Sequence, residues 1–129
     1  MHRSRVAVLL VDHSEAHDAA VTFWAGATGS TAVELPEEPG FTSLGSLGNV
    51  TFAVQRTGPG TPARMHLDIE TDDVPDEVAR VVGLGATVLE DHGEHAVLRD
   101  PGGLVFCVVP VQDRETFEVH ARTWGQGGT

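Results

Sequence analysis

The sequence predicts an α+β domain made of two similar halves, each running from a strand through a helix into a short antiparallel set of strands. Three observations support this prediction. Each half opens with a strand pattern, continues with a helix that has one apolar face, and ends that helix at a glycine. The glycines are Gly29 and Gly85, and a β-branched strand start follows each of them. The repeated order indicates an internal duplication within one domain.

The first half covers about residues 5–56. Its apolar run Val6–Val11 predicts a buried strand, because β-branched and leucine side chains follow one another between polar residues. Asp12 or Ser14 is expected to cap the helix that follows, whose apolar residues recur every three or four positions. The remaining strands of this half are predicted at residues 31–35, 41–47 and 49–56.

A joint rich in glycine and proline, residues 57–62, separates the halves, and the pattern then repeats over about residues 64–110. Residues 65–70 alternate as a strand, and Asp72 or Asp73 opens the second helix. The remaining strands of this half are predicted at residues 87–90, 96–99 and 104–109, with a turn at 100–103.

A tail, residues 111–129, lies outside the two halves. Phe117, Ala121 and Trp124 have helical spacing, which predicts a short amphipathic helix. Its apolar face is expected to pack on the domain or on a partner subunit, and the last residues, 125–129, are expected to be disordered.

The composition excludes several classes of function. A chain of 129 residues with 40% hydrophobic and 21% charged residues is typical of one soluble globular domain. The net charge of −11, with only eight Lys and Arg residues, disfavours nucleic acid and anionic membranes as partners. Cys107 is the single cysteine, so no internal disulfide forms. Residues 6–11 are too short an apolar run for a signal peptide or a membrane span, and we expect a cytoplasmic protein.

Several short motifs of the second half occur together: His66-Leu-Asp-Ile-Glu70, Leu84-Gly-Ala-Thr87 and Arg99-Asp-Pro-Gly-Gly-Leu-Val-Phe-Cys107. In combination with the duplicated layout, the chain resembles the glyoxalase/bleomycin resistance/dioxygenase (vicinal oxygen chelate) superfamily, and within it the glyoxalase-like group, over about residues 5–110. The resemblance implies paired βαβββ modules that form an open eight-stranded cup with the helices outside. Ligands then bind on the concave side, where metal-dependent members place four ligands.

The resemblance also implies which residues occupy the four metal positions. The family's motif spacing places His66 and Cys107 at the two positions of the second half. The same spacing places Arg5 in the first half, and Gln55 follows by analogy of strand position. A guanidinium cannot bind a cation, and two good ligands beside it make a poor cage. No metal ligand and no cofactor are therefore predicted, with a divalent ion (Zn, Fe, Mn or Ni) as the alternative.

The first strand of the second half alternates polar and apolar residues. Its polar residues, His66, Asp68 and Glu70, are expected to face the concave side, where Gln55 and Cys107 join them from other strands. The apolar residues between them are expected to pack under the helices. The polar groups either hydrogen-bond one another or line a small-molecule pocket with His66 as donor or general base.

Three weaker candidates have simpler explanations. His13 and His17 are four residues apart, but no third ligand is nearby, so a solvated helix start is expected. His92 and His95 lie in a predicted hairpin turn, where a solvent-exposed loop is expected rather than a metal site. Cys107 could be a nucleophile only beside a positive group, and packing as a small hydrophobe is the simpler expectation.

The favoured interpretation is a small-molecule-binding protein without a metal, whose catalytic activity stays open. The candidate ligand-binding residues are Arg5, Gln55, His66, Asp68, Glu70 and Cys107, and His66 is also the candidate catalytic residue. One alternative is a metal-dependent lyase, isomerase or dioxygenase acting on a small oxygenated substrate. Another is an accessory domain whose tail helix docks on another protein. The resemblance implies a homodimer, and the joint at residues 57–62 would permit exchange of halves.

Overall fold

A computed structural model describes residues 1–125 of the chain. The strands are β1 (His2–His13), β2 (Val33–Glu34), β3 (Phe41–Leu47), β4 (Val50–Arg56), β5 (Arg64–Thr71), β6 (Thr87–Asp91), β7 (Ala96–Arg99), β8 (Val105–Pro110) and β9 (Arg122–Trp124), and the helices are α1 (His17–Thr28), α2 (Val74–Gly83) and α3 (Arg114–His120). The order β1-α1-β2-β3-β4 repeats as β5-α2-β6-β7-β8. The predicted α+β class with paired βαβββ modules is therefore confirmed.

Two compact units make up the structure. The central unit comprises residues 8–66, and the terminal unit comprises residues 1–7 together with the chain from residue 67 onward. The boundaries lie within β1 and within β5, so each of these strands contributes residues to both units.

In the central unit, β1 pairs in parallel with β4, and β2, β3 and β4 follow one another as antiparallel neighbours. The register places Leu9 beside Phe52 and Val11 beside Val54. These side chains pack with Ala20 of α1 into the apolar core. Since successive side chains of a strand point to opposite faces, the residues between them lie on the other side of the sheet, away from α1.

The start of α1 differs from the prediction. Neither Asp12 nor Ser14 caps the helix; the N-cap position is Ala16, which makes no side-chain hydrogen bond there. Asp12 instead lies within β1, which extends further than the apolar run because its polar ends also pair with other strands. The end of α1 matches the prediction, since Gly29 adopts the left-handed conformation with φ of 69°.

In the terminal unit, β5 pairs in parallel with β8, and β8, β7 and β6 are antiparallel neighbours. Val81 of α2 packs on Ala96, Leu98 and Val108 to form the core of this unit. Asp73 caps α2 as predicted, because its side chain accepts a 3.0 Å hydrogen bond from the Asp76 N–H.

The apolar residues of β5 are less buried than expected. Met65 and Leu67 are 48% and 40% exposed, so the prediction that they pack under the helices is wrong. The polar residues are the buried ones, since His66 and Glu70 are almost inaccessible to solvent. In the terminal unit α2 packs on Val108 and Phe106 of β8, and this core does not extend to Leu67.

The tail folds onto the terminal unit. Phe117 lies on α3 as predicted and is fully buried. Trp124 is not helical; it lies in β9, which pairs antiparallel with residues 2–4 of β1. The expected disorder at the C-terminus concerns residues 126–129, which lie outside the described residues, and Gly125, which has no regular secondary structure. Within residues 1–125, no helix is long and apolar enough to cross a membrane.

Candidate functional site

Polar side chains interrupt the face of the central unit that lies away from α1. The register places Leu10 beside Ala53 and Asp12 beside Gln55, with one residue between the two pairs on each strand. Leu10, Ala53 and Asp12 are buried, and Gln55 is half-buried. We call this side of the sheet the polar face. It carries a buried carboxylate and a neighbouring amide on an otherwise apolar surface.

Asp12 holds His66 in a defined orientation. The Nδ1 atom of His66 lies 2.7 Å from Oδ2 of Asp12, and both side chains are buried. An ionised carboxylate can only accept a hydrogen bond, so the hydrogen sits on Nδ1. In the neutral ring the lone pair is then on Nε2, which makes Nε2 the basic atom of the imidazole.

Arg64 binds the same carboxylate oxygen. Its Nε–H donates a 3.0 Å hydrogen bond to Oδ2 of Asp12, and its side chain is 41% exposed. Arg64 is the first residue of β5 and lies two residues after the end of the joint at residues 57–62. A buried carboxylate needs a compensating cation or hydrogen-bond donors, and here Asp12 receives one bond from each neighbour.

The second oxygen of Asp12 is not paired. Oδ1 is buried and has no hydrogen-bond partner among residues 1–125. Buried polar atoms are normally hydrogen-bonded, and leaving one unpaired costs about 1–3 kcal/mol. A donor group of a bound molecule would relieve that cost, so this atom is a candidate acceptor for a ligand.

In the terminal unit, two of the predicted ligand-binding residues form an ion pair. Arg5 Nη1 lies 2.9 Å from Oε1 of Glu70, and both side chains are buried. Oε2 of Glu70 accepts a 3.1 Å hydrogen bond from the backbone N–H of Gln112, at the start of the tail. The two charges therefore compensate each other inside the protein.

Asp68 and Cys107 form the other polar pair of this unit. They are register partners on β5 and β8, and their potential metal-ligating atoms lie within 4.8 Å of each other. A carboxylate next to the sulfur does not supply the positive charge that activates a thiol nucleophile. The carboxylate oxygen of Asp68 and the sulfur of Cys107 are instead atoms of the kinds that bind zinc.

The residues at the four positions that the resemblance implies do not fit a closed metal cage. Arg5 contributes a guanidinium that already pairs with Glu70, and it has no lone pair to donate. Gln55 offers a neutral amide oxygen, which is a weaker ligand than the usual glutamate. Of the four residues, only His66 and Cys107 are good metal-ligand types, and Cys107 replaces the usual glutamate.

The remaining histidines of interest are placed as follows. His17 is buried, so the prediction of a solvated helix start is wrong for this residue; its Nε2 lies 3.5 Å from Oγ1 of Thr42. The rings of His92 and His95 stack with centroids 4.6 Å apart in the turn between β6 and β7. His92 also bonds exposed Glu90 at 2.8 Å.

Sequence reasoning missed Asp12 and Arg64. Asp12 directly precedes the helical pattern, and that local position favours a helix cap. Arg64 lay one step beyond the alternating segment, although its spacing of two from His66 places both residues on the same side of β5. Extending the alternation by one residue towards the N-terminus would have found it.

Comparisons with known proteins agree with this fold. The family model described as "Glyoxalase-like domain" matches residues 8–109. Among solved structures, the NAD-dependent benzaldehyde dehydrogenase from Legionella pneumophila has a TM-score of 0.63 at 10% identity, covering 81% of this chain and 98% of that chain. A hypothetical protein, BH1468 from Bacillus halodurans C-125, has a TM-score of 0.60 at 10% identity, with coverages of 86% and 96%. At such identities the likeness shows a common fold alone. No curated protein matches the chain.

Proposed function

This chain belongs to the glyoxalase-like domain family, and on that premise we propose that it binds a small molecule at the polar face of the central unit, without a metal ion. The observation that supports the proposal is the buried hydrogen bond between Asp12 and His66. His66 is buried and oriented beside a carboxylate, and Oδ1 of that carboxylate has no hydrogen-bond partner among the described residues. Buried polar atoms are normally paired, so this oxygen can accept a hydrogen bond from a ligand.

The chemistry of this group follows from its hydrogen bonds. With the hydrogen on Nδ1 directed at Asp12, Nε2 of His66 can accept a hydrogen bond from a ligand hydroxyl or remove its proton as a general base. Gln55, beside Asp12, offers both a carbonyl oxygen and an amide N–H₂. We therefore assign His66 as the candidate catalytic residue, with Asp12 as its positioning residue and Gln55 as a ligand contact.

The candidates of the terminal unit have different roles. Arg5 and Glu70 form a buried ion pair, so we assign them to support the strand ends rather than to ligand chemistry. Asp68 and Cys107 are half-buried and remain candidate ligand contacts of that unit.

The proposal is tested by screening small metabolites and antibiotics by thermal shift and then measuring affinity by calorimetry. We expect hits whose affinity falls roughly 10-fold or more in His66→Ala, because a lost hydrogen bond to a charged or polarised group is worth about 1.5–3 kcal/mol. Asp12→Asn should weaken the same hits, since an amide no longer enforces the Nδ1–H tautomer.

The matched control is His120→Ala, which removes an exposed histidine at the end of α3. Its affinities should equal those of the wild type. Hits that bind equally to the wild type and to His66→Ala would contradict the proposed site.

The alternative function is a metal-dependent lyase, isomerase or dioxygenase acting on a small oxygenated substrate. The proximity of Asp68 to Cys107 is the observation that favours it, since both are metal-ligand types. Metal analysis of protein purified without a metal-affinity tag decides between the two. A stoichiometric Zn, Fe, Mn or Ni that is lost in Cys107→Ser would support the alternative and overturn the metal-free proposal.

We also propose that the protein is a cytoplasmic homodimer. The exposed side chains of Met65 and Leu67 support an assembly surface, and the single cysteine, Cys107, is consistent with a reducing compartment. Light scattering coupled to gel filtration should give twice the chain mass. A monomeric mass at micromolar concentration would contradict the dimer.

A further inference from the structure

We propose that the ligand of the polar face carries a carboxylate, and that Arg64 is the residue that recognises it. The inference rests on the proposed function, because it assigns the chemical class of the ligand at the same site.

Arg64 is anchored at one nitrogen only. Asp12 Oδ2 accepts from Nε, at the inner end of the guanidinium, and no hydrogen bond or ion pair joins either Nη atom to another residue within 1–125. The two Nη groups carry four N–H donors in one plane, the arrangement that matches a carboxylate with two parallel hydrogen bonds. Because the side chain is 41% exposed, a small molecule can reach them.

Of the two arginines in the central unit, Arg64 is the one that lies at the polar face. The chain has eight arginines and no lysine, and the central unit contains two of these arginines, Arg56 and Arg64. Arg56 is the register partner of His13, on the other side of the sheet, and pairs with Asp18 of α1 at 3.2 Å. Arg64 is therefore the arginine that an anionic ligand meets at the polar face, where its charge also compensates Asp12.

The position of His66 gives the ligand a second feature. Arg64 and His66 bond the same oxygen of Asp12, so the guanidinium and the imidazole are close neighbours. When the ligand carboxylate accepts hydrogen bonds from the two Nη groups of Arg64, the next atoms of the ligand lie beside His66. A hydroxyl there would contact the imidazole, which makes a short hydroxycarboxylate the class of molecule that contacts both residues.

A purely structural role for Arg64 makes different predictions. If Arg64 served only to balance the charge of Asp12, its removal would lower stability and weaken charged and neutral ligands to the same extent. If it recognises a carboxylate, its removal weakens carboxylates selectively. The ratio of the two affinities therefore separates the roles, even in a variant that is less stable.

The experiment measures binding of lactate, glycolate and mandelate, and of their neutral amides, to the full chain by calorimetry or ligand-observed NMR. The wild type should bind each acid more tightly than its amide. Arg64→Gln should reduce the affinity for the acids roughly 10- to 100-fold more than the affinity for the amides, because only the acids lose two charge-assisted hydrogen bonds to the guanidinium. The affinity of Arg64→Lys for the acids should lie between those of the wild type and Arg64→Gln, since lysine keeps the charge and loses the two parallel hydrogen bonds.

Arg122→Gln, an exposed arginine of β9, is the matched control and should keep the preference of the wild type. Acids that bind no better than their amides, or equal losses for both in Arg64→Gln, would overturn the inference. Retained binding of neutral hydroxyl compounds that depends on His66 would then leave the proposed function intact. Loss of that His66 dependence for every compound would instead reject the proposed function itself.

Discussion

Individual buried charges explain much of the chemistry of this protein. Asp12, Glu70 and Glu77 are fully buried, and each receives a hydrogen bond from an arginine. Burial alone would raise the pKa of Glu77, but hydrogen bonds from Arg80 and His2 outweigh it and lower the pKa of this carboxyl. Substituting the arginine partner of one of these carboxyl groups would remove its compensating charge inside the protein.

His17 is the buried group whose titration should be visible in stability. Burial lowers its pKa, and nearby Arg56 adds to the effect. The other charged or titratable groups that act on it are Asp18, Glu34 and His13. Within the described residues Nδ1 of His17 has no hydrogen-bond partner, so the folded protein favours the neutral ring.

We therefore expect acidification to destabilise the wild type through His17. The unfolded ring binds a proton near its ordinary pKa of 6.5 while the folded ring resists it, so stability is lost as the pH falls below 6.5. Urea unfolding at pH 7.5 and pH 5.5 measures the loss. In His17→Gln the loss should be smaller, and an equal loss in both proteins would contradict this account.

At the scale of elements, the C-terminal segment α3–β9 is an integral part of the terminal unit. Phe117 is fully buried, and β9 extends the pairing of β1 over residues 2–4. Trp124 donates from Nε1 to Ser4 Oγ at 2.8 Å, and the guanidinium of Arg80 lies 3.9 Å above its ring. These contacts explain why the tail contributes a strand where helical spacing predicted a longer helix.

The contribution of this segment can be measured with two substitutions on α3. Phe117→Ala should lower the free energy of unfolding by about 3–5 kcal/mol, because it removes a fully buried aromatic ring and leaves a cavity. Val119→Ala, two residues away and 72% exposed, should change it by less than about 0.5 kcal/mol. Similar small effects for both would show that α3 adds little to the fold.

At the scale of the whole molecule, the charge is strongly unbalanced. The chain carries a net charge of −11 and has a calculated isoelectric point near 4.8. Self-repulsion of this size keeps a protein soluble but opposes the compact state, and salt screens it.

The melting temperature at pH 7 should therefore rise when sodium chloride is raised from low to physiological concentration. At pH 4.8, where the net charge approaches zero, the same addition should have little effect. Thermal unfolding at both pH values tests this. A melting temperature that falls with salt at pH 7 would mean that local ion pairs, such as Arg3 with Glu118, outweigh the net repulsion.

The sequence by itself determined the order of elements in the two halves, because strand alternation, helical apolar faces and glycine stops are local properties of the chain. Gly29 and the Asp73 cap lie where their local patterns place them. The family also followed from short motifs, and the match over residues 8–109 confirms it.

Only the tertiary structure decided which polar residues meet. Asp12 and His66 are separated by 53 intervening residues, and neither carries a local signal that names the other as its partner. Arg5 likewise forms its ion pair with Glu70 because strands far apart in the sequence lie close together. Hydrogen bonds between residues far apart in the chain depend on strand register, which local patterns leave open. For that reason the strand bearing His66 was predictable, and its orientation by Asp12 beside Arg64 was not.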